Sequence, residues 1–268
     1  LFGELLEIEV PIPFPRMTYQ EAMEQYGSDA PDTRFELKLV DLSEIASECG
    51  LRVFSAVVKK GGLVKAIRVP GGADLSRKAL DDLTEFAAIY GAKGMAWIKR
   101  NEEGWQSPIA KIFYEEHQAA LEKRTSMEVG DLVLFCADKP RIVHDTLGNL
   151  RKEIARQRGL IPENEFRFVW VTDFPLFEYN EAEKRFVSSH HPFTMPNLED
   201  LEAYGQDQPE RIRSRAYDIT LNGVEIGGGS IRIHRGDIQD QVFKLLKLEE
   251  DEIESKFGFL MKALSYGA

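Results

Sequence analysis

Cysteine is scarce in this 268-residue chain, where Cys49 and Cys136 are the only two. Two thiols cannot build a disulfide framework, so a reducing, cytoplasmic setting is the default expectation. Neither fits a metal-ligand spacing and both lie in apolar runs, which predicts buried, inert thiols. Long hydrophobic runs are missing as well: no stretch approaches the ~20 apolar residues of a membrane span, and no signal-peptide pattern opens the chain. Positive charge is in deficit, with 34 Lys+Arg against 45 Asp+Glu, a net charge of −11. That balance argues against a free-standing basic nucleic-acid binder or a polybasic membrane-surface protein, but not against an enzyme whose cations gather in one place. There is no phosphate-binding glycine loop of P-loop or dinucleotide type, since Gly71-Gly72-Ala73-Asp74 fits neither pattern. No Ser-His-Asp order or Cys-His pairing points to covalent catalysis. Disorder is excluded by 43% hydrophobic and 10% aromatic residues.

What is there reads as a mixture of helices and strands. Leu1 to Ile8 resembles the end of an amphipathic helix already under way, and Phe257 to Ala268 an apolar helix stopped just after a glycine, so a piece of a longer chain is expected. Thr18 can cap a short helix, with Glu21 as reciprocal partner and Gly27 closing it. Leu42 to Ala46 reads as a short helix. Arg52–Val58 and Leu63–Val69 read as β runs split by a Gly61-Gly62 hairpin signal. Ser76 to Tyr90, Ile109 to Thr125 and Arg141 to Gly159 are helical, and Met95–Ile98 and Asp131–Ala137 are strands. Lys152, Arg156 and Arg158 crowd the last of these helix ends, where a solvated face explains them better than RNA contact. After Pro162 come strands at Phe166–Val171 and Phe174–Tyr179, a strand pair over Ala216–Ile226, a strand at Ile231–His234, and helices at Asp237–Leu246 and Glu249–Leu264. This pattern predicts an α/β unit over residues 41–161 inserted between outer pieces 1–40 and 162–268.

The segment Tyr217-Asp-Ile-Thr-Leu-Asn-Gly-Val-Glu-Ile226 carries the strongest local argument. Asn222-Gly223 between two β runs signals a two-residue type I′ turn. Leu221 then pairs with Val224, Thr220 faces Glu225, and Asp218 faces Gly227. Tyr217, Ile219, Leu221, Val224 and Ile226 share an apolar face, and Asp218, Thr220 and Glu225 share the other. Asp218 and Glu225 are diagonal neighbours roughly 7–8 Å apart, close enough to converge on one divalent cation. Arg232 follows on a strand whose Ile231 and Ile233 point the other way, a fixed guanidinium suited to gripping a carboxylate or phosphate. A solvated sheet face with a flexible triple-glycine loop is the competing reading. His190-His191 is a further candidate, with one exposed and one packed histidine as its bland alternative.

Taken in order, Phe14-Pro-Arg-Met-Thr-Tyr, Tyr26-Gly-Ser-Asp-Ala-Pro-Asp, Arg68-Val-Pro-Gly-Gly-Ala-Asp74, Trp170-Val-Thr-Asp-Phe-Pro-Leu-Phe-Glu, His190-His-Pro-Phe-Thr, Tyr217 to Arg232, and Phe257-Gly-Phe-Leu resemble bacterial-type aspartyl-tRNA synthetases across nearly the whole chain. The resemblance implies an α+β fold: part of a class II antiparallel sheet with flanking helices, interrupted by the insertion named after its Gly-Ala-Asp triplet, the GAD domain. It implies formation of aspartyl-adenylate from L-aspartate and ATP with Mg2+, then transfer to tRNA-Asp, with tRNA-Asn left open. It also implies a cytoplasmic homodimer in the full-length parent and no membrane. By the same resemblance Arg232 and His190 bind aspartate, Glu225 binds ATP, Asp218 and Glu225 hold Mg2+, and His191 is an alternative loop partner. Ala30 departs from the lysine many members carry in the Tyr-Gly-Ser-Asp stretch. The anticodon-binding barrel and the phosphate-gripping arginines would lie outside this chain, so an inactive fragment is expected. A non-catalytic tRNA- or protein-binding module, derived from the synthetase or related to a tRNA-dependent amidotransferase subunit, is the alternative reading.

Overall fold

The computed structural model describes residues 2–264 and Tyr266. In chain order it opens with α1 (Phe2–Leu5), β1 (Arg16–Thr18), α2 (Tyr19–Tyr26), β2 (Leu39–Asp41), α3 (Ser43–Glu48) and α4 (Arg52–Lys59). Then come β3 (Leu63–Val69), α5 (Arg77–Ile89), β4 (Ala96–Asn101), β5 (Gly104–Gln106), α6 (Glu115–Thr125), β6 (Leu132–Asp138) and α7 (Pro140–Gln157). The chain continues through β7 (Phe168–Thr172), β8 (Phe177–Asn180), β9 (Arg185–Ser188) and α8 (Leu198–Tyr204). It finishes with β10 (Ala216–Leu221), β11 (Val224–Ser230), α9 (Gly236–Leu245) and α10 (Glu250–Leu264). Among the described residues no helix is long and apolar enough to cross a membrane. Cys49 and Cys136 are both free and buried.

Two compact units result. One holds residues 1–20, 168–220 and 225–268; the other holds 21–167 with the short stretch 221–224. The second unit is built on a five-stranded sheet in the order β2-β3-β6-β4-β5, antiparallel at every pairing. Its central strand β6 is apolar on both faces. Leu132, Leu134 and Cys136 join the cluster formed with α5 and α7, whereas Val133 and Phe135 join the one formed with α3, α4 and α6. A strand covered on both faces reads as an unbroken hydrophobic run, which is why Asp131–Ala137 is legible as buried. Ser76 accepts a hydrogen bond from the Ala79 amide (3.1 Å) and opens α5, as its sequence position predicts.

The expected outer boundaries at residues 40 and 162 differ from the compact units, which divide after Gln20 and Arg167. Residues 21–40 pack on the second unit: Phe35, Leu37 and Leu39 enter its core, and Lys65 donates to the Glu24 carbonyl (3.0 Å). A further tie is Arg151 on α7. Its fully buried guanidinium donates to the backbone carbonyls of Asp32, Phe35, Glu36 and Leu37, and so ties that segment to the sheet's helical cover. Arg52–Lys59 is a helix, not the expected strand. Phe54 and Val58, four residues apart, face the core, whereas Val53 and Ala56 stay exposed. Gly61-Gly62 then forms a helix stop and not a hairpin. The Gly62 amide donates to the Val57 carbonyl (3.0 Å) and the Gly61 amide to that of Val58 (2.9 Å), with Gly61 at φ 79.

The first unit contains a four-stranded sheet in the order β1-β7-β10-β11, with β1 and β7 parallel, and a separate β8-β9 hairpin. Its core gathers Leu176, Phe177, Met195, Leu201, Ile212 and Ile233 under α9, which adds Ile238, Val242 and Leu245. This unit carries every residue expected to do chemistry.

Candidate functional site

Asn222 and Gly223 both take positive φ, 53 and 80, the pair a type I′ turn demands, and β10 and β11 meet there at Leu221 and Val224. Strand alternation from that turn places Asp218, Thr220 and Glu225 on one face. Burial, however, falls on the other side from the one expected. Thr220 is completely buried and donates to the Val169 carbonyl (3.3 Å), whereas Tyr217, Val224 and Ile226 are exposed. The β7 strand packs its Val169 and Val171 inward, so the small Ala216 and Thr220 are what fit beside it.

The glycine run does not place Gly227 opposite Asp218 in the simple way the turn predicts. A methyl group added to Gly228 would run into the Asp218 carboxylate, and one on Gly229 would come within 3.0 Å of the Tyr217 hydroxyl. One on Gly227 meets only Ile219 at 3.7 Å. Three residues without side chains have nothing to hold their pleat, so the contact moves one residue along. The glycines therefore have a packing role: they make room for Asp218 and Tyr217.

Beyond β11 the chain leaves the sheet, and Arg232 lies in an isolated bridge with Thr194, not in the strand expected over Ile231–His234. That bridge, with Met195 N to Ile231 O (2.8 Å) and Ile233 N to Phe193 O (2.9 Å), binds the His190–Met195 loop to the Arg232 segment. Buried Gln239 on α9 also holds the loop, donating to the Pro192 carbonyl at 2.8 Å.

The structure brings Arg232 together with His191, not with His190. Arg232 Nη1 donates to His191 Nδ1 (3.1 Å) and to Ser230 Oγ (3.0 Å). The Phe193 amide donates to the same Nδ1 (3.2 Å). A nitrogen accepting from both has no proton of its own, so His191 is the neutral Nε2–H tautomer. Desolvation, then the charges of Arg232 and His190, lower its pKa in the same direction. His190 lies edge-on to Phe174, with ring centroids 5.2 Å apart. The exposed Arg232 keeps its Nε–Nη2 edge without a hydrogen bond among the described residues, a two-pronged donor open to a carboxylate.

A divalent cation would find limited protein ligation here. Among the described residues no group of three His, Cys, Asp or Glu side chains could hold a metal. Asp218 and Glu225 on one face fit Mg2+ only in its usual role on a nucleotide, where one or two carboxylates share it with phosphate oxygens.

A family model described as tRNA synthetases class II (D, K and N) matches residues 2–268. The chain belongs to this family. It is 54% identical over 269 residues to the aspartate--tRNA(Asp/Asn) ligase of Desulfatibacillum aliphaticivorans, covering 100% of this chain and 45% of that protein. It is 55% identical over 259 residues to the same-named ligase of Desulfosudis oleivorans, covering 97% and 43%. With the aspartate--tRNA ligase of Staphylococcus saprophyticus it shares 50% over 266 residues, covering 99% and 45%. The chain thus spans a little under half the length of these relatives.

Two of the three cations at the basic end of α7 make internal pairs. Arg158 pairs with Asp74 of the Gly-Ala-Asp triplet (3.0 Å), and Arg156 pairs with Glu153 (2.7 Å). Sequence reasoning missed Arg151, although its spacing from Leu147, Leu150 and Ile154 already put it on the apolar face of α7. It also missed the Arg213–Asp200 pair (2.7 and 2.9 Å), which lines a cavity of about 450 Å³ in the first unit. That pair leaves no motif, because its members are thirteen residues apart.

Proposed function

We propose that this chain is part of an aspartate–tRNA ligase and supplies the amino-acid and nucleotide contacts of its catalytic domain. L-aspartate and ATP form aspartyl-adenylate and pyrophosphate, and the aspartyl group then passes to the 3′-end of tRNA-Asp, or of tRNA-Asn as well. The complete enzyme is a cytoplasmic homodimer in this reading.

The observation that carries the proposal is the open Nε–Nη2 edge of Arg232, held in place by Ser230 and a neutral His191. A planar guanidinium fixed on one side and free on the other matches the side-chain carboxylate of aspartate. Neutral His191 adds a second N–H without a second charge. Asp218 and Glu225 are the nucleotide carboxylates, and Mg2+ bound there would neutralise phosphate oxygens as the pyrophosphate leaves. The acceleration rests on positioning and charge, with no covalent enzyme intermediate.

The test is a chimera of the Desulfatibacillum aliphaticivorans ligase in which the matching segment is replaced by this chain. Aspartate-dependent exchange of pyrophosphate into ATP is the expected result. A folded chimera that binds tRNA but catalyses no exchange would mark the chain as a binding module.

A further inference from the structure

Gln239 on α9 is only 1% exposed, and its side chain is used at one end alone. Nε2 donates to the Pro192 carbonyl (2.8 Å), whereas Oε1 is buried without a hydrogen-bond partner among the described residues. An acceptor left in that state costs stability, so an apolar side chain of similar size would serve packing better. What the glutamine adds is a donor at one fixed place.

That place is one half of a rigid unit. The peptide joining Pro192 to Phe193 is planar, and its C=O and N–H point in opposite directions. The C=O accepts from Gln239, and the N–H donates to His191 Nδ1 (3.2 Å). Pro192 has a fixed φ and no N–H of its own, so little else in the dipeptide can turn. Holding the carbonyl therefore aims the amide. That amide and Arg232 Nη1 (3.1 Å) together keep Nδ1 an acceptor. The helix that carries Gln239 follows directly on the Arg232 segment, and the Gln239 backbone amide donates to the Arg235 carbonyl (3.1 Å). One turn further along, Phe243 meets the Phe193 ring edge-on, with centroids 6.0 Å apart. One helix is thus joined to both partners of the His191–Arg232 contact.

We propose that Gln239 is a positioning residue for aspartate. Through the Pro192–Phe193 peptide it fixes His191 in the neutral Nε2–H tautomer, and so holds the Arg232 guanidinium where its open edge meets the substrate carboxylate. This rests on the reading of Arg232 as the aspartate-binding group. The effect of Gln239 falls on aspartate and not on ATP.

Pyrophosphate exchange in the chimeric ligase carrying Gln239→Met tests the proposal, since methionine keeps the volume and removes the donor. KM for aspartate should rise about tenfold, with kcat and the KM for ATP within about twofold of the unsubstituted chimera. Phe243→Leu loosens packing on the same helix face and keeps the hydrogen bond. It should lower the urea midpoint and leave the KM for aspartate within about twofold. In the chain labelled with 15N-histidine, the His191 ring should show the Nε2–H tautomer alone, and Gln239→Met should replace it by a mixture of tautomers. Coupling is reciprocal, so saturating L-aspartate should slow solvent exchange of the Gln239 side-chain amide in the unsubstituted chimera by about the same tenfold, a reading that needs no variant. An unchanged KM for aspartate with the His191 tautomer intact would overturn the proposal. So would an equal rise with Phe243→Leu, a general loss of kcat, or amide exchange indifferent to aspartate. If the unsubstituted chimera catalyses no exchange, the reading of Arg232 fails by itself, and the His191 tautomer with and without Gln239→Met still decides the role of Gln239.

Discussion

Arg151 has no solvent exposure, yet it is charged. Four carbonyls surround its guanidinium, which also lies 4.1 Å from the Phe35 ring centroid and 4.9 Å from that of Tyr26. Burial pushes its pKa down to about 10, still far above neutrality, so it stays protonated. Replacing Arg151 by Met keeps the volume but orphans those carbonyls. The variant should lose on the order of 3–5 kcal/mol, read as a lower urea midpoint, and an unchanged midpoint would contradict the assignment. A second residue sets an acid limit. His144 has its pKa lowered to about 4 by desolvation and then by the charge of Lys65. Between about pH 6.5 and about 4 the unfolded chain takes up a proton that the folded one refuses. Stability is therefore present above that window and falls as the pH drops through it. His191, lowered in the same direction, adds to the slope. His144→Gln should flatten the dependence of the urea midpoint on pH across this interval. The chemistry of His144 was invisible in the sequence, because desolvation depends on what packs over a residue and not on its neighbours in the chain.

At the scale of elements, glycines decide the outcome at two places. Gly61 stops α4 with nothing within 4 Å of an added Cβ, so Gly61→Ala costs only the left-handed backbone, about 1 kcal/mol. Gly62 is different: a Cβ there would meet Val57 Cγ1 at 2.5 Å and the Asp138 carbonyl at 2.7 Å. Gly62→Ala should destabilise clearly more than Gly61→Ala in parallel urea melts, and the reverse order would refute the helix-stop geometry. In β11, Gly228→Ala should displace the Asp218 carboxylate and, in the chimeric ligase, raise the KM for ATP at fixed Mg2+, with little effect on global stability. Most elements were legible because their periodicity or caps are local: Ser76, Asn222-Gly223 and the run Asp131–Ala137 speak for themselves. Arg52–Val58 did not, since a short run rich in valine suits either period, and only the core beneath Phe54 and Val58 decides for a helix. Arg232 likewise left its expected strand, because the Thr194 bridge, a contact made across the chain, takes over after Ser230.

On the scale of the whole chain, the sequence motifs lead to the family, and the compact units follow from packing that no motif records. The separation into two sheets was legible from the change of style near Pro162, but the attachment of residues 21–40 to the second unit was not. That attachment rests on Phe35, Leu37 and Leu39 in the core, on Lys65 holding the Glu24 carbonyl and on buried Arg151. The proposed site was readable as types of residue: a guanidinium, two carboxylates, a pair of histidines. Which histidine meets Arg232 was not, since adjacent residues differ only in direction, and the loop contacts of Gln239 and Phe193 set that direction. The central claim is that Arg232 reads the aspartate side chain. Its most direct measurement is pyrophosphate exchange in the chimeric ligase carrying Arg232→Lys, with aspartate and ATP varied in turn and Glu225→Gln as the comparison. Lysine keeps the charge but not the two-pronged donor, so kcat/KM for aspartate should fall roughly thirty- to a thousand-fold while Glu225→Gln chiefly weakens ATP. A kcat/KM for aspartate within about threefold of the unsubstituted chimera would contradict the account.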